Sequence, residues 1–538
     1  MTTWAHHLTI GPIIIPLLVG ALMILVGEHR RRLNAALGVA SAVSLLFVTT
    51  TLLWMADSAE SSIVSVYRLG NWPALFGIVL VLDRLSAAML VLTSTVGLAA
   101  LVYSLGRWDR AGAYFHPLFQ FQLMGLNGAL LTGDLFNLFV FFEVMLAASY
   151  GLALHGSGIL RVKAGLHYIV INLTASLLFL IGVSMIYGVV GTLNMADFAS
   201  RIAAVTDEDR ALVETGAAIL GIALLIKTAM WPLGFWLQTT YAAASAPAAA
   251  ILSILSKVGV YVVLRLWLLL FGDTATVSTG FGGHWLLIGG LLTIAFGSVA
   301  VLATQNTARL AGATVLVSSG TLLAAIGTGQ VAVIGGALFY LVSSVLAIAA
   351  LFLLIELIER GRELGADVLA VTREAYGEDD DLEEDEEVGV AIPAATAILG
   401  MSFMGCALVL AGLPPLAGFL AKFAILSPLL DANAGAFFPP AVALLSALLL
   451  SGMATIIAMT RAGIEAFWVS SHETVQRMRL TEIVPVVLLL SLGLLLAVKP
   501  APVLRYMQAT AESLHNPQEY IRSVLSESRP PAQTGGFR

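Results

Sequence analysis

Leu135-Phe-Asn-Leu-Phe-Val-Phe-Phe-Glu-Val-Met-Leu-Ala-Ala-Ser149 is an apolar stretch of membrane-helix character with a single carboxylate, Glu143, at its middle. A charge placed in hydrocarbon costs roughly 2.5 to 3.5 kcal/mol on insertion scales, so such a residue marks an ion or proton path. Lys227, Lys257 and Lys422 stand in comparable apolar surroundings further along the chain. Several embedded charges in one chain point to a relay.

The composition sets the class to which this stretch belongs. Of 538 residues, 59% are hydrophobic and 11% charged, and the mean hydropathy is +0.92. These values exclude a soluble globular fold and fit an all-α polytopic membrane protein. The lone cysteine, Cys406, excludes a disulfide framework or a thiolate metal cluster and reads as a small buried apolar residue. The net charge of −7 is misleading, because nine acidic residues crowd between Glu378 and Glu387; without them the balance turns slightly positive. That cluster reads as a solvated loop.

About fourteen transmembrane helices are expected, over 8–27, 35–55, 76–105, 113–133, 135–155, 164–190, 211–237, 245–271, 283–303, 308–328, 331–358, 391–427, 438–460 and 481–499. Several exceed the roughly 20 residues that a straight span needs, so tilt or a helix break is expected. No basic region precedes the first apolar run, which reads as a membrane helix and not as a cleaved signal. Loops after odd-numbered spans carry Arg30 to Arg32, Arg107, Arg110, Arg161, Lys163, Arg309, Arg360, Arg362, Arg461, Arg477 and Arg479, whereas loops after even-numbered spans are richer in acid. Under the positive-inside rule the N-terminus lies outside the cytoplasm and the acidic loop, 361–390, inside it.

Two spans contain breakers. The seventh holds Trp231-Pro-Leu-Gly-Phe235 and the twelfth Gly412-Leu-Pro-Pro-Leu-Ala-Gly-Phe419. Pro232 with Gly234, and Pro414 and Pro415 with Gly418, should break these helices in mid-membrane, which is tolerated only against protein or a water-filled cavity. The breaks share a Pro-Leu-small-Phe pattern and lie five spans apart, an odd number that reverses topology. Two inverted five-helix repeats fit, 113–271 and 283–460, flanked by N-terminal helices in 1–112 and by a last helix and polar C-terminal segment in 481–538.

Each charge has a relay reading and a plainer one. Glu143 can load and release a proton as a partner moves, or it can form a static ion pair. Lys227, just before the break at Pro232, is the candidate partner for Glu143, the alternative being snorkelling to the interface. Lys257 follows Ser253 and Ser256 and suits a hydrated relay position, while Lys422 follows the second break and suits a second half-channel. His167, beside Arg161 and Lys163, is a candidate for a secondary pathway or an interfacial residue. His116 and His155, near span ends, take the interfacial reading. Asp134 reads as the N-cap of the fifth helix. No phosphate loop, metal-ligand cluster or nucleophilic triad appears, so an ion gradient or a partner subunit must supply the driving force. No cofactor, metal or nucleic-acid partner is expected, and the protein reads as a transporter subunit, not an enzyme.

Gly133-Asp-Leu-Phe-Asn-Leu-Phe-Val-Phe-Phe-Glu143, Trp231-Pro-Leu-Gly-Phe-Trp236, Ser256-Lys-Val-Gly-Val-Tyr261 and Gly412-Leu-Pro-Pro-Leu-Ala-Gly-Phe-Leu-Ala-Lys422 resemble motifs of the Mrp-type multisubunit monovalent cation/proton antiporters. The resemblance covers nearly the whole chain and is nearest to the D-type member of the complex and to the potassium-linked branch called Pha. The same core recurs in antiporter-like subunits of respiratory complex I and of membrane-bound hydrogenases. The resemblance implies fourteen helices in two inverted bundles and a hydrophilic axis through Glu143, Lys227, Lys257 and Lys422. It also implies a bacterial inner-membrane location and the A (or a fused AB), C, E, F and G members of the Mrp-type complex as partners, with protons and Na⁺ or K⁺ exchanged. One departure is that Ser344 and Ile348 stand where family members often carry a histidine and a lysine in the eleventh span; Ser343 and Ser344 must then link the half-channels with water. A redox-driven proton pump of the complex I type is the rival reading, and a non-transporting scaffold the second. The choice between Na⁺ and K⁺, the stoichiometry and the cation-carrying subunit are not encoded legibly.

Overall fold

The computed structural model describes residues 7–57, 64–74, 76–272, 278–376, 394–431, 439–468 and 478–526. Its helices are α1 (Gly11–Val26), α2 (Arg31–Asp57), α3 (Arg84–Ser104), α4 (Phe115–Leu131), α5 (Leu135–Leu154), α6 (Ile159–Val190), the short α7 (Met195–Arg201), α8 (Asp207–Lys227), α9 (Phe235–Ala243) and α10 (Ala246–Phe271). They continue as α11 (Gly283–Ala303), α12 (Thr307–Gly327), α13 (Val331–Tyr376), α14 (Ala394–Ala411), α15 (Ala417–Asp431), α16 (Pro439–Phe467), α17 (Leu480–Val498), α18 (Pro500–His515) and α19 (Gln518–Ser526). Among the described residues, 12 helices are long and apolar enough to cross a membrane. Two of the expected spans are absent from that set for physical reasons. The fourth is α4, only 17 residues long, and the seventh is split between α8, which opens on Asp207, Glu208 and Asp209, and α9. The chain is a multi-span membrane protein.

Burial sorts the helices into a centre and a rim. In α10, α12 and the first thirty residues of α13, 94% of the membrane-length window is covered by protein, against 33% for α1 and α2 and 28% for α17. The rim helices expose Leu25, Phe47, Trp54, Val484 and Val498, an apolar surface that lipid solvates and water does not. The central three are apolar all round because they pack on neighbours on every side, and they are the helices that carry Lys257, Ser318, Ser319, Ser343 and Ser344.

Both expected breaks are present. Residues 228–234 interrupt the chain between α8 and α9, with Ala229 at φ 59°, and residues 412–416 interrupt it between α14 and α15, with Gly412 at φ 78°. The Trp231–Pro232 and Pro414–Pro415 peptide bonds are cis. The second half-helix starts hard against the first in each case: a Cβ on Gly234 would run into the Ala229 carbonyl, and one on Gly418 into the Val409 carbonyl. Gly418→Ala should therefore push α15 off α14 and carry Lys422, one turn on, out of place. Overpacking of this kind costs about 1–3 kcal/mol, so the expected outcome is less assembled complex and no exchange from what remains, read by immunoblot and vesicle assay; wild-type yield and activity would show that the contact is not needed.

Several expectations need correction. The third span does not start at 76: Val79–Leu82 is a strand, paired antiparallel with Ser65–Arg68 in register Ser65↔Leu82 to Arg68↔Val79, and the helix starts only after Asp83, which caps it by accepting from the Ser86 N–H. An apolar run next to a helix could not be told from its continuation. The C-terminal segment after Pro500, read as merely polar, is ordered and helical over the described residues. It forms α18 and α19, whose Met507, Ala511 and Val524 are buried and whose Tyr506 hydroxyl donates to the Arg84 carbonyl at 2.8 Å. Its average polarity hid an amphipathic period. The eleventh span continues past the membrane as one helix to Tyr376. The acidic cluster, Glu378 to Glu387, lies outside the described residues.

The hairpin and the C-terminal helices meet at a buried ion pair. Arg265 on α10 binds Asp83 at 2.8 Å with side-chain exposures of 5% and 10%, donates to the Ser86 hydroxyl at 3.1 Å, and lies over the rings of Tyr261 and Tyr520. Breaking a buried pair strands the other charge and costs about 3–5 kcal/mol. Asp83→Ala is thus expected to lower the thermal midpoint of the detergent-solubilised complex, and Asp83→Ala with Arg265→Leu to recover much of the loss; an unchanged midpoint in the single variant would mean the pair contributes nothing.

Candidate proton axis

Glu143 projects from the middle of α5 and is half-buried, its carboxylate accepting a hydrogen bond from the Ser176 hydroxyl on α6. Lys227, 7% exposed, is the last residue of α8. It forms no ion pair with Glu143. Its ammonium instead rests 4.9 Å from the centroid of the Phe142 ring, a cation–π contact in a desolvated site, and Glu143 is the charge whose field reaches it. Among the described residues, no hydrogen bond or ion pair joins Lys227 to Glu143 directly.

Lys257 is fully buried on α10. Its ammonium donates to the Ser319 hydroxyl at 2.9 Å and to the Val315 carbonyl at 3.5 Å, both on α12. One residue back on α12, the Ser318 hydroxyl lies 3.0 Å from that of Ser344 on α13. Lysine, two adjacent serines and a third serine therefore run across the three central helices. Ser318 and Ser319 project about 100° apart around α12, so the run turns there. Ser343 is buried with its hydroxyl unpartnered, which in a polar interior is where a bridging water is accommodated.

Lys422 sits on α15, 8% exposed, and its ammonium donates to the Ala411 carbonyl at 2.8 Å. Ala411 ends α14, so the lysine caps the free carbonyls and the negative dipole end of a broken helix. No hydrogen bond links Ser344 to Lys422 among the described residues. Gly412 lies against the Lys422 side chain, where any larger residue would displace it, and Gly452 lies against the Ala411 carbonyl that Lys422 caps.

The other candidates fall elsewhere. His167 is exposed on α6, its Nδ1 2.9 Å from the Lys163 carbonyl, and it lines a surface cleft away from the lysine–serine run. His116 and His155 are buried, not interfacial; His155 Nε2 is 2.8 Å from the Trp108 carbonyl. Asp134 caps α5 as expected, accepting from the N–H groups of Phe136 and Asn137. Sequence reasoning passed over Glu356 within the eleventh span. It accepts from Trp108 Nε1 at 2.6 Å and from Arg360 at 2.7 Å, and Arg360 also holds Glu482 at 2.8 Å. A carboxylate and an arginine four residues apart on one helix face, at the expected end of the span, were the available signal; the tie to Glu482, 122 residues away, had none.

Comparison with known proteins agrees with this architecture. Residues 132–449 match the family model described as NADH:quinone oxidoreductase/Mrp antiporter, transmembrane. The chain is 57% identical to the D-type member of a probable K(+)/H(+) antiporter of Rhizobium meliloti (strain 1021), over 99% of this chain and 100% of that one. It is 34% identical to the D-type member of a Na(+)/H(+) antiporter of Alkalihalophilus pseudofirmus, over 97% of this chain and 100% of that one. Among solved structures, one protein of the Mrp complex from Dietzia sp. DQ12-45-1b superposes with a TM-score of 0.80 at 26% identity, over 97% of this chain and 100% of that one. With matches that run the full length of the relatives, the chain belongs to the NADH:quinone oxidoreductase/Mrp antiporter membrane family and, within it, to the D-type members of the monovalent cation/proton antiporters.

Proposed function

We propose that the chain is the proton-translocating subunit of a multisubunit antiporter in the bacterial inner membrane, moving protons along Glu143, Lys227, Lys257 and Lys422 while the complex exchanges K⁺ or Na⁺. The observation that carries this reading is the fully buried Lys257 donating to Ser319, next in sequence to the Ser318 that pairs with Ser344. An ammonium with hydroxyl and carbonyl acceptors and no counter-ion is a poor structural device, since burying it unpaired is costly, but it is a suitable proton carrier because lysine gives up its proton when desolvated. Proton arrival at Glu143 removes the negative field that holds the Lys227 ammonium on the Phe142 ring. The freed positive charge then repels the proton on Lys257 toward Ser344 and, through water, toward Lys422.

The likeness between the breaks supports two inverted bundles, 113–271 and 283–460: each has a residue at positive φ, a glycine beneath a carbonyl and a lysine beside it. Each half of such a repeat supplies one half-channel. The alternation of basic and acidic loops supports an N-terminus outside the cytoplasm. Partners are the other members of the antiporter complex, namely A or AB, C, E, F and G. The 57% relative, named for K⁺/H⁺ exchange, favours K⁺. The family model also covers NADH:quinone oxidoreductase subunits, so a redox-driven pump is the second reading.

The deciding experiment is K⁺- and Na⁺-dependent dissipation of a proton gradient in everted vesicles from antiporter-deficient cells, with and without the complete operon. Exchange that appears only with the operon is expected. Absence of exchange with every alkali cation would put the redox-driven reading first.

A further inference from the structure

A cleft of about 900 Å³ opens where the first turns of α6 and α12 meet α9. Arg161, Lys163, His167 and Arg309 line it, and among the described residues no carboxylate does. Arg161 is fixed in the wall: its Nε donates to the Ala243 carbonyl at 2.8 Å, its Nη1 to the His155 carbonyl at 3.1 Å, and its guanidinium lies 4.8 Å from the Trp108 ring. Lys163 and Arg309 are different. Both are exposed, and neither side-chain cation has a hydrogen-bond or ion-pair partner among the described residues. Two untied cations thus face one cavity beside a third that cannot leave.

Beside a few uncharged polar side chains, Ser157, Thr239 and Asn306, the lining carries an outward-facing apolar rim. Ile159 is 88% exposed, Leu160 79% and Phe235 61%. Free phosphate would need the cations and gain nothing from that apolar rim. A molecule with an anionic head and hydrocarbon tails uses both, because basic pockets between transmembrane helices hold phosphate headgroups while acyl chains cover adjoining apolar side chains.

We propose that this cleft binds an anionic phospholipid, its phosphate between Lys163 and Arg309 and its acyl chains over Ile159, Leu160 and Phe235. None of these residues belongs to the Glu143–Lys422 axis, so the proposal stands or falls separately from the proton relay.

The test uses the complete antiporter complex, purified, delipidated and exposed to phosphatidylcholine vesicles containing rising amounts of phosphatidylglycerol, with retained phosphatidylglycerol read by native mass spectrometry. Loss of two surface cations, each contributing about 1 kcal/mol, converts to ~30-fold weaker retention in the Lys163→Ala/Arg309→Ala complex, whereas Lys163→Arg/Arg309→Lys should keep wild-type retention. If the alanine double variant does not assemble, Arg309→Ala alone should show roughly fivefold weakening. Equal retention in wild type and variant overturns the proposal. So does displacement of the lipid by inorganic phosphate at matched concentration, which would mark a site for free anions. Protection of Lys163 from an amine-reactive reagent in lipid-free complex would also overturn it, since a neighbouring subunit would then occupy the cleft.

Discussion

Glu143→Ala is expected to abolish K⁺- or Na⁺-driven proton exchange in everted vesicles, to the level of vesicles lacking the complex, while the complex assembles at wild-type yield. The two halves of this outcome follow from the same geometry. Glu143 is half-buried at the face of α5, and among the described residues its hydrogen-bond partner is the Ser176 hydroxyl. A serine within a helix can turn back to the carbonyl four residues earlier when its partner is lost, so truncation leaves no stranded donor and a small cavity. The electrical consequence is larger. Lys227 is 7% exposed and has no ion-pair partner among the described residues; the carboxylate that favours its charged form is Glu143. Without that field the ammonium keeps only the Phe142 ring, and nothing remains to be neutralised when a proton arrives. Glu143→Asp keeps the charge on a shorter arm, drawn back from Ser176, and is expected to retain slowed exchange. Wild-type exchange in the alanine variant would remove Glu143 from the path and leave it a structural residue.

How far these effects could be read in advance depends on the kind of information each residue carries. The helices were legible because a bilayer imposes length and apolarity on each segment separately, and the breaks because Pro232, Gly234, Pro414, Pro415 and Gly418 act on their own backbone. Embedded charges were legible for the same local reason. What escaped was partnership. Ser319 holds Lys257 across 62 residues, Arg265 holds Asp83 across 182, and nothing near either member of these pairs names the other. The absence of a direct Glu143–Lys227 ion pair among the described residues has a related reason: charge opposition states that two groups attract, not that the ammonium settles on the Phe142 ring. Amphipathic order in Pro500–His515 was lost in an average, since its buried residues are a methionine, a threonine and an alanine.

Lys257→Met separates transport from scaffold most sharply, because stability and activity should move in opposite directions. Lys257 is among the largest fully buried side chains of the described residues, and its ammonium is satisfied by one hydroxyl and one distant carbonyl, with no carboxylate partner among those residues. Methionine has nearly the same length and flexibility and carries no charge. It fills the space without overpacking and removes the desolvation penalty that an unpaired buried ion imposes. The cost is a Ser319 oxygen and a Val315 carbonyl that each lose a donor, about 1–3 kcal/mol at most for a buried group left unmatched, and the Ser319 hydroxyl can turn back to donate to the Val315 carbonyl four residues earlier on its own helix. The thermal midpoint of the purified complex should therefore stay level or rise. Exchange should nonetheless vanish, since a thioether cannot accept and release a proton between the Lys227 side and Ser344. If Lys257 were only a scaffold residue, the stabilised variant would exchange ions as well as wild type; proton-gradient dissipation measured on the same preparation as the melting curve decides between the two.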